Sequence, residues 1–351
     1  MKVVSRLVLT PTLSLLIIQL STLLHIVNVQ AMRIATWNLR FDSIPNNITV
    51  QQSIDALPDP LEQFEFLNGF EERPWSTRRL RVAEMLLSEE IQLAGFQEAL
   101  VRQVNDLAEL FGDQWKWVGV GRDDGVAAGE FSPIFYKTTS LLLRSNSSFW
   151  LSNTPFEPSK FPGAGSFRIC TVAQFTLTDT PSGEPKNFTI LNTHLDDQSD
   201  DERRLAASLL LTRARFEAVT TGDPVLITGD FNSESSGDSS GAYSIITGST
   251  PPVPINQTFA DKFDVGDQAP DFKMLDLRGQ APRRMVSNNF ATFTGFTAPN
   301  DTSDWSRIDF AFGDSISGKW TVNGLKVVPA LSDDGTLTSD HRPTFVDVGL
   351  T

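Results

Sequence analysis

Along this chain apolar and polar positions alternate in short runs, switching between a period of two and a period near 3.6, as strands interleaved with helices do. Residues 33–39 alternate in this way and predict a strand with Ile34, Thr36 and Asn38 on one face. A stretch rich in Pro, Asn and Asp, residues 42–75, reads as loop. It leads into a helix capped by Ser76, with an apolar stripe of Leu80, Ala83, Leu87 and Ile91. Residues 188–194 predict a second alternating strand, followed by a helix whose stripe is Leu205, Leu209, Thr212, Phe216 and Val219. The unbroken apolar run at residues 225–228 fits a strand buried on both faces. Residues 233–241 and 251–254 read as loops, and no internal repeat is visible. Together these elements predict an α/β (α+β) fold with layered sheets, in one domain over residues 32–351.

Several of the strands end in groups that a buried strand does not ordinarily carry: Asn38, Glu98, His194, and the pair Asp230 and Asn232. Such groups must be hydrogen-bonded or bound to a cation, so the ends are expected to converge on one site.

Composition changes this picture in three ways. A chain of 351 residues, 40% of them hydrophobic, can bury a large core. Its formal charge of −14, from 29 basic and 43 acidic residues, disfavours nucleic acid as a partner and implies that any bound phosphate needs a metal. The single cysteine, Cys170, forbids an intramolecular disulfide and reads as a small buried hydrophobe.

Residues 1–31 stand apart. Lys2 and Arg6 precede an apolar run over residues 7–29, and Val29-Gln30-Ala31 offers small residues for signal peptidase, which predicts a secretory signal peptide and a mature charge of −16. Pro11, Gln19, His25 and Asn28 make the run a poor membrane span. Sequons at Asn47, Asn146, Asn187, Asn256 and Asn300 fit a secreted glycoprotein. Were Met32 the true start, the protein would be cytoplasmic, which the lack of disulfides fits.

In chain order the motifs that carry chemistry are Thr36-Trp37-Asn38, Gln97-Glu98, Gly129-Glu130-Phe131, Asn192-Thr193-His194, Gly229-Asp230-Phe231-Asn232, Arg307-Ile308-Asp309-Phe310 and Ser339-Asp340-His341. Singly each is weak, and Gly229-Asp230 alone would be a turn in most proteins. As an ordered series they resemble the endonuclease/exonuclease/phosphatase superfamily, which includes deoxyribonucleases, AP endonucleases, sphingomyelinases and inositol 5-phosphatases. The resemblance implies a four-layered sandwich of two packed β-sheets flanked by helices. It also implies hydrolysis of phosphate esters by water attacking phosphorus in line, with Mg2+, or Mn2+ in its place, as cofactor.

Residue by residue, the resemblance makes Glu98 the principal metal ligand, with Asp340 beside the metal and Asn38 a ligand or phosphate contact. Asp230 would orient or deprotonate the water, with Asn232 holding it and a phosphate oxygen. His341 would contact the scissile phosphate while Asp309 fixes its tautomer, and Glu130 would pair with His194. Both histidines beyond residue 31 thus fall in these motifs.

Other charged residues have two readings each. Arg122, in Arg122-Asp123-Asp124-Gly125, would lie over the substrate phosphate or in a surface turn. Asp196 and Asp197 read best as an exposed acidic loop, and otherwise as residues that shape the cleft or hold a second cation. Arg78, Arg79 and Arg81 form a solvated face or meet phosphate.

The partner expected is a phosphate-ester substrate, a soluble phosphorylated compound or, less favoured by the net charge, nucleic acid, met by a monomer acting as a phosphodiesterase or phosphomonoesterase. A lipid phosphodiesterase of the sphingomyelinase kind is the second reading, and would use a membrane-facing hydrophobic hairpin for which residues 64–70 are the candidate. A catalytically silent binding protein on the same scaffold is the third, and the full set of acids and histidines argues against it.

Overall fold

The structure is a computed structural model that describes residues 31–63, 69–180 and 183–351. The predicted signal segment, up to residue 30, and most of the hairpin candidate at residues 64–70 lie outside the described residues.

Two mixed six-stranded sheets form the centre. In spatial order the first contains Trp320–Val327 (β11), Thr344–Leu350 (β12), Met32–Asn38 (β1), Leu93–Gln97 (β2), Ile134–Lys137 (β4) and Trp115–Val118 (β3). The second contains Leu141–Trp150 (β5), Ile169–Leu177 (β6), Lys186–His194 (β7), Val225–Asp230 (β8), Asp309–Asp314 (β10) and Met274–Asp276 (β9). Helices Val50–Asp55 (α1), Trp75–Ser88 (α2) and Val101–Phe111 (α3) belong to the first half of the chain, and Asp200–Thr221 (α4), Gly241–Ile246 (α5), Gln257–Lys262 (α6) and Leu277–Gln280 (α7) to the second.

Three hydrophobic clusters separate the layers. One joins α2 and α3 to the first sheet through Trp37, Trp75, Val82, Leu86, Phe96 and Val104. Between the sheets lie Ile34, Leu93, Phe175, Ile190, Leu226, Ala311 and Val346. The third packs α4, α5 and α6 on the second sheet through Leu191, Leu209, Ile227, Phe231, Ile245 and Phe310. This is the expected helix–sheet–sheet–helix sandwich. No helix among the described residues is long and apolar enough to cross a membrane.

Local chemistry explains the differences from the expected elements. Residues 42–75 are not all loop, because Thr49 and Gln52 form a reciprocal capping box that nucleates α1. Ser76 does not cap α2, because the helix begins at Trp75 with Pro74 at its N-cap, which leaves Ser76 inside the first turn. The buried face of α2 is accordingly Trp75, Arg78, Arg79, Val82, Ala83 and Leu86, while Leu87 is exposed. Arg78 and Arg79 form no solvated face and meet no phosphate, since both are 0% exposed. Arg78 donates to the carbonyls of Leu39, Arg40 and Thr338, and Arg79 to Asp106, Ser53 and the carbonyls of Ile48 and Thr49. These carbonyls belong to irregular backbone that has no ladder partner, and a buried guanidinium satisfies several at once. In α4 the predicted stripe is widened, with Ala206, Leu210, Ala214 and Ala218 also buried and Thr212, Phe216 and Val219 only partly so. Cys170 is buried and free, as expected, and burial pushes its thiol pKa up.

Strand direction brings the motifs together. β1 runs parallel to β2 and β7 parallel to β8, so the C-terminal ends of all four strands lie at one edge of the sandwich. β10 and β12 run antiparallel to β8 and β1, so the same edge receives their N-terminal ends, with Asp309 opposite Asp230. The two-residue period then aims side chains inward, where Ile34, Thr36 and Asn38 share the inter-sheet face of β1, and Leu226, Thr228 and Asp230 that of β8.

Just beneath that edge the apolar inter-sheet core gives way to a polar layer. Asn192 Oδ1 accepts from Gln97 Nε2 at 2.8 Å and Thr228 Oγ1 at 3.2 Å, while its amide nitrogen donates to the carbonyls of Phe96 and Pro133. Gly95 makes room for it, since a Cβ there would stand 2.4 Å from Asn192 Oδ1. Gly95→Ala must part the sheets or break this layer, and is expected to cost about 1–3 kcal/mol of stability. Chemical denaturation measures it, and an unshifted midpoint would contradict so tight an approach.

Candidate active site

A cleft of about 410 Å³ opens at this edge, lined by Glu98, Glu130, His194, Asp230, Asn232, Asp340 and His341 together with Arg40, Arg122 and Arg168. The backbone itself is bent to fill it. Glu98, Asn232 and Arg40 have left-handed φ values of 59°, 45° and 55°. Such conformations are costly for side chains with a Cβ, and they gather where a fold holds functional groups in place. At Glu98 the bend matters most. Gln97 already points between the sheets, so regular alternation would turn Glu98 away from the cleft.

Asn38 sits between two carboxylates, its amide nitrogen donating to Glu98 Oε1 at 3.0 Å and to Asp230 Oδ2 at 2.9 Å. Its oxygen is taken by the Arg40 amide at 3.0 Å. Asn38 thus spaces the two acids through its amide nitrogen, and its oxygen keeps a second lone pair beyond the Arg40 contact. The other Glu98 oxygen accepts from the Phe41 amide at 3.1 Å, and Arg40 Nη1 lies 3.9 Å away.

Asp230 is fully buried beside Asp309, and burial followed by that neighbour raises its pKa to about 7 against the opposing pull of His341 and Asn38. Its Oδ2 lies 3.5 Å from His194 Nε2 and 3.6 Å from His341 Nε2. The Asn232 amide locks the other oxygen at 2.9 Å.

His341 Nδ1 is 2.8 Å from Asp309 Oδ2. Burial alone would lower the pKa of this ring, but Asp309 and Asp230 overcome it and raise the value to about 10, so the imidazole is cationic at neutral pH. Around it, Trp37 Nε1 donates to the His341 carbonyl at 2.9 Å, Ser339 Oγ receives the His341 amide at 3.1 Å, and the Phe293 ring meets the imidazole edge to face at 4.9 Å.

His194 behaves in the opposite way. Burial, then Arg168 and Arg122, hold its pKa well below the ordinary value, so it is neutral. The Asn232 side-chain amide contacts Nε2 at 3.0 Å while also donating to the Leu195 carbonyl, which leaves the proton on Nδ1. Glu130 is 3.8 Å from that Nδ1 and makes no hydrogen bond with it. The expected Glu130–His194 pair is in this respect corrected. Arg122 grips Glu130 with both ends of its guanidinium, at 2.6 and 2.9 Å, because a fork and a carboxylate match in shape. Arg122 is therefore neither a surface turn residue nor a free phosphate anchor. Burial raises Glu130 to about 7, with Arg122 opposing and Glu98 reinforcing the shift.

Asp196 also departs from expectation. It is buried, not exposed, and accepts the backbone amides of Gly165, Ser166, Gln198 and Ser199 as well as Arg168 Nε. Asp197 is exposed, as expected, and pairs with Arg168. Arg40 and Arg168 escaped the sequence reading. Arg168 did leave a signal, since it is a lone charge immediately before the buried run of β6.

The donor set can be tested for a cation. Glu98, Asp230 and Asp340 all line the cleft, and the pKa of Asp340 is pushed up by burial and by Glu98 against the pull of His341. Asp309 Oδ1 is buried with no hydrogen-bond partner. An excess of buried carboxylate oxygens suits a hard divalent ion. Asp230, Asp309 and His341 also bring potential ligand atoms within 4.8 Å of one another. A hard divalent ion prefers oxygen donors to an imidazole whose Nδ1 is already bonded to Asp309, which favours Glu98 and Asp340 as its holders.

Buried acids and two histidines in different charge states, one neutral and one cationic, gathered where two sheets meet, suit the chemistry of phosphate-ester hydrolysis. The chain belongs to the endonuclease/exonuclease/phosphatase family, whose model matches residues 35–341. An endonuclease/exonuclease/phosphatase from Bacteroides vulgatus shares 27% identity at a TM-score of 0.67, over 91% of this chain and 99% of the other. A mannosyl-6-phosphatase of Bacteroides thetaiotaomicron shares 25% identity at a TM-score of 0.64, over 91% and 99%. A D. rerio TDP2 crystallised with a single-strand DNA product shares the fold at 16% identity and a TM-score of 0.53, over 90% and 98%. No curated protein matches the chain in sequence.

Proposed function

We propose that this chain is a divalent-metal-dependent hydrolase of phosphate esters, acting on phosphomonoesters of small soluble compounds. The observation that carries the reading is the convergence of Glu98, Asp230, Asn232 and the Asp309–His341 pair in one cleft. The name of the B. thetaiotaomicron relative supports the choice of monoester.

Mg2+, or Mn2+ in its place, would be held by Glu98 and Asp340 and would supply Lewis-acid polarisation of a phosphate oxygen. Asp230, with a pKa near neutrality, is suited to accept a proton from the attacking water, and Asn232 to orient that water through its free amide oxygen. His341, cationic and held by Asp309, offers an N–H to a phosphate oxygen as charge builds on it. His194 and Glu130 border the same space and fit the departing alcohol.

A panel of DNA, RNA, sphingomyelin, inositol phosphates and an aryl phosphate, each assayed with Mg2+ or Mn2+ and with excess chelator, tests the reading. Turnover of a phosphate ester that chelator abolishes is expected. Full turnover in chelator, or cleavage confined to sphingomyelin, would overturn the cofactor or the substrate respectively.

A further inference from the structure

One wall of the cleft, formed by Ser166, Arg168 and Asp197, is not used in the steps above. It is built rather than incidental. The Arg168 side chain is 5% exposed, with Nε 3.2 Å from Asp196 Oδ2 and Nη2 2.6 Å from Asp197 Oδ1. Asp196, bound by four backbone amides, fixes the loop carrying Ser166 against the loop after β7. The wall is thereby held in place before a ligand arrives, which lowers the ordering cost of binding. Asp197, by contrast, keeps 53% of its side chain open at the mouth.

The chemistry of this wall is specific. Arg168 is matched by Asp197, and next to it Arg122 is matched by Glu130. Matched pairs give little net charge to draw a second phosphate, but they set donors beside acceptors at hydrogen-bond spacing. A hydroxyl both donates and accepts, so neighbouring hydroxyls on a carbon skeleton complement such a wall, with Ser166 adding a further hydroxyl. Phe41, Phe293 and Ile308 line the same cleft, half-buried, and offer apolar surface to the C–H face of a ring.

Building on the reading of the site as a phosphate-ester hydrolase, we propose that Ser166, Arg168 and Asp197 are specificity residues for a polyhydroxylated alcohol. The substrate class is then the sugar phosphates. Hydrolysis in the presence of Mg2+ is measured on a hexose phosphate, butyl phosphate, a mononucleotide and p-nitrophenyl phosphate. The hexose phosphate should exceed butyl phosphate in kcat/KM by about tenfold or more, the worth of one hydrogen bond to a charged group. Asp197→Asn, half exposed and close in shape, should erase most of that preference through KM with kcat for the hexose phosphate kept, as loss of uniform binding does. Equal rates on the hexose and butyl esters overturn the proposal, as does preference for the mononucleotide. So does a hexose preference that survives Asp197→Asn combined with Ser166→Ala. Each of these leaves ester hydrolysis standing. Failure to hydrolyse any ester of the set removes the functional reading and this inference with it.

Discussion

Replacing His341 with alanine is expected to lower kcat by about 10² to 10⁴ fold, the range for loss of a positioned acid or base. Asp309→Asn should fall in the same range, because the 2.8 Å bond from His341 Nδ1 is what keeps that ring charged and aimed. The two changes should not add. With the imidazole gone, Asp309 has nothing left to orient, so the double variant should be little worse than the worse single one. Steady-state kinetics on the three variants decides this, with thermal unfolding as a check that each remains folded. Strictly additive losses would mean that the carboxylate and the ring act separately.

Glu98→Gln tests the other half of the site. The substitution keeps the shape and one of the two hydrogen bonds, from Asn38 or from Phe41, because an amide has a single acceptor oxygen, while removing a charge that faces the proposed cation. A metal contributes several kcal/mol to charge stabilisation, so turnover should fall by about 10² to 10³ fold. Titration calorimetry with Mn2+ should show weakened binding in parallel. The same titration separates two placements of the ion. If Asp230, Asp309 and His341 were the ligands, Glu98→Gln would bind metal normally and His341→Ala would not. An unaffected Glu98→Gln enzyme would remove Glu98 from its assigned place.

Much of the fold was legible because it depends on periodicity. The alternation in β1 and β7 and the unbroken run of β8 mark their own faces, and two sheets with helices outside are the way such elements bury those faces. Capping chemistry was less readable. Thr49 and Gln52 lay inside a stretch whose Pro and Asn content masked them, and Ser76 looked like a cap because nothing local distinguishes a capping serine from a buried one.

The sequence by itself determined the chemical inventory: which acids, amides and histidines end the strands, in which order, and that both histidines of the described chain belong to the site. Residue type and the two-residue strand period are local properties, so they survive without knowledge of neighbours. Partnership is not local, and only the tertiary structure decided it. Arg122 met Glu130 across a loop, Arg168 met Asp196 and Asp197 between two loops, and Arg78 turned inward to hold the backbone beneath His341. The same holds for charge state. His194 and His341 are the same residue type in the same cleft, yet one is neutral beside two guanidiniums and the other cationic beside two carboxylates. A pKa follows from burial and from charges a few ångströms away, and those distances exist only once the two sheets have packed.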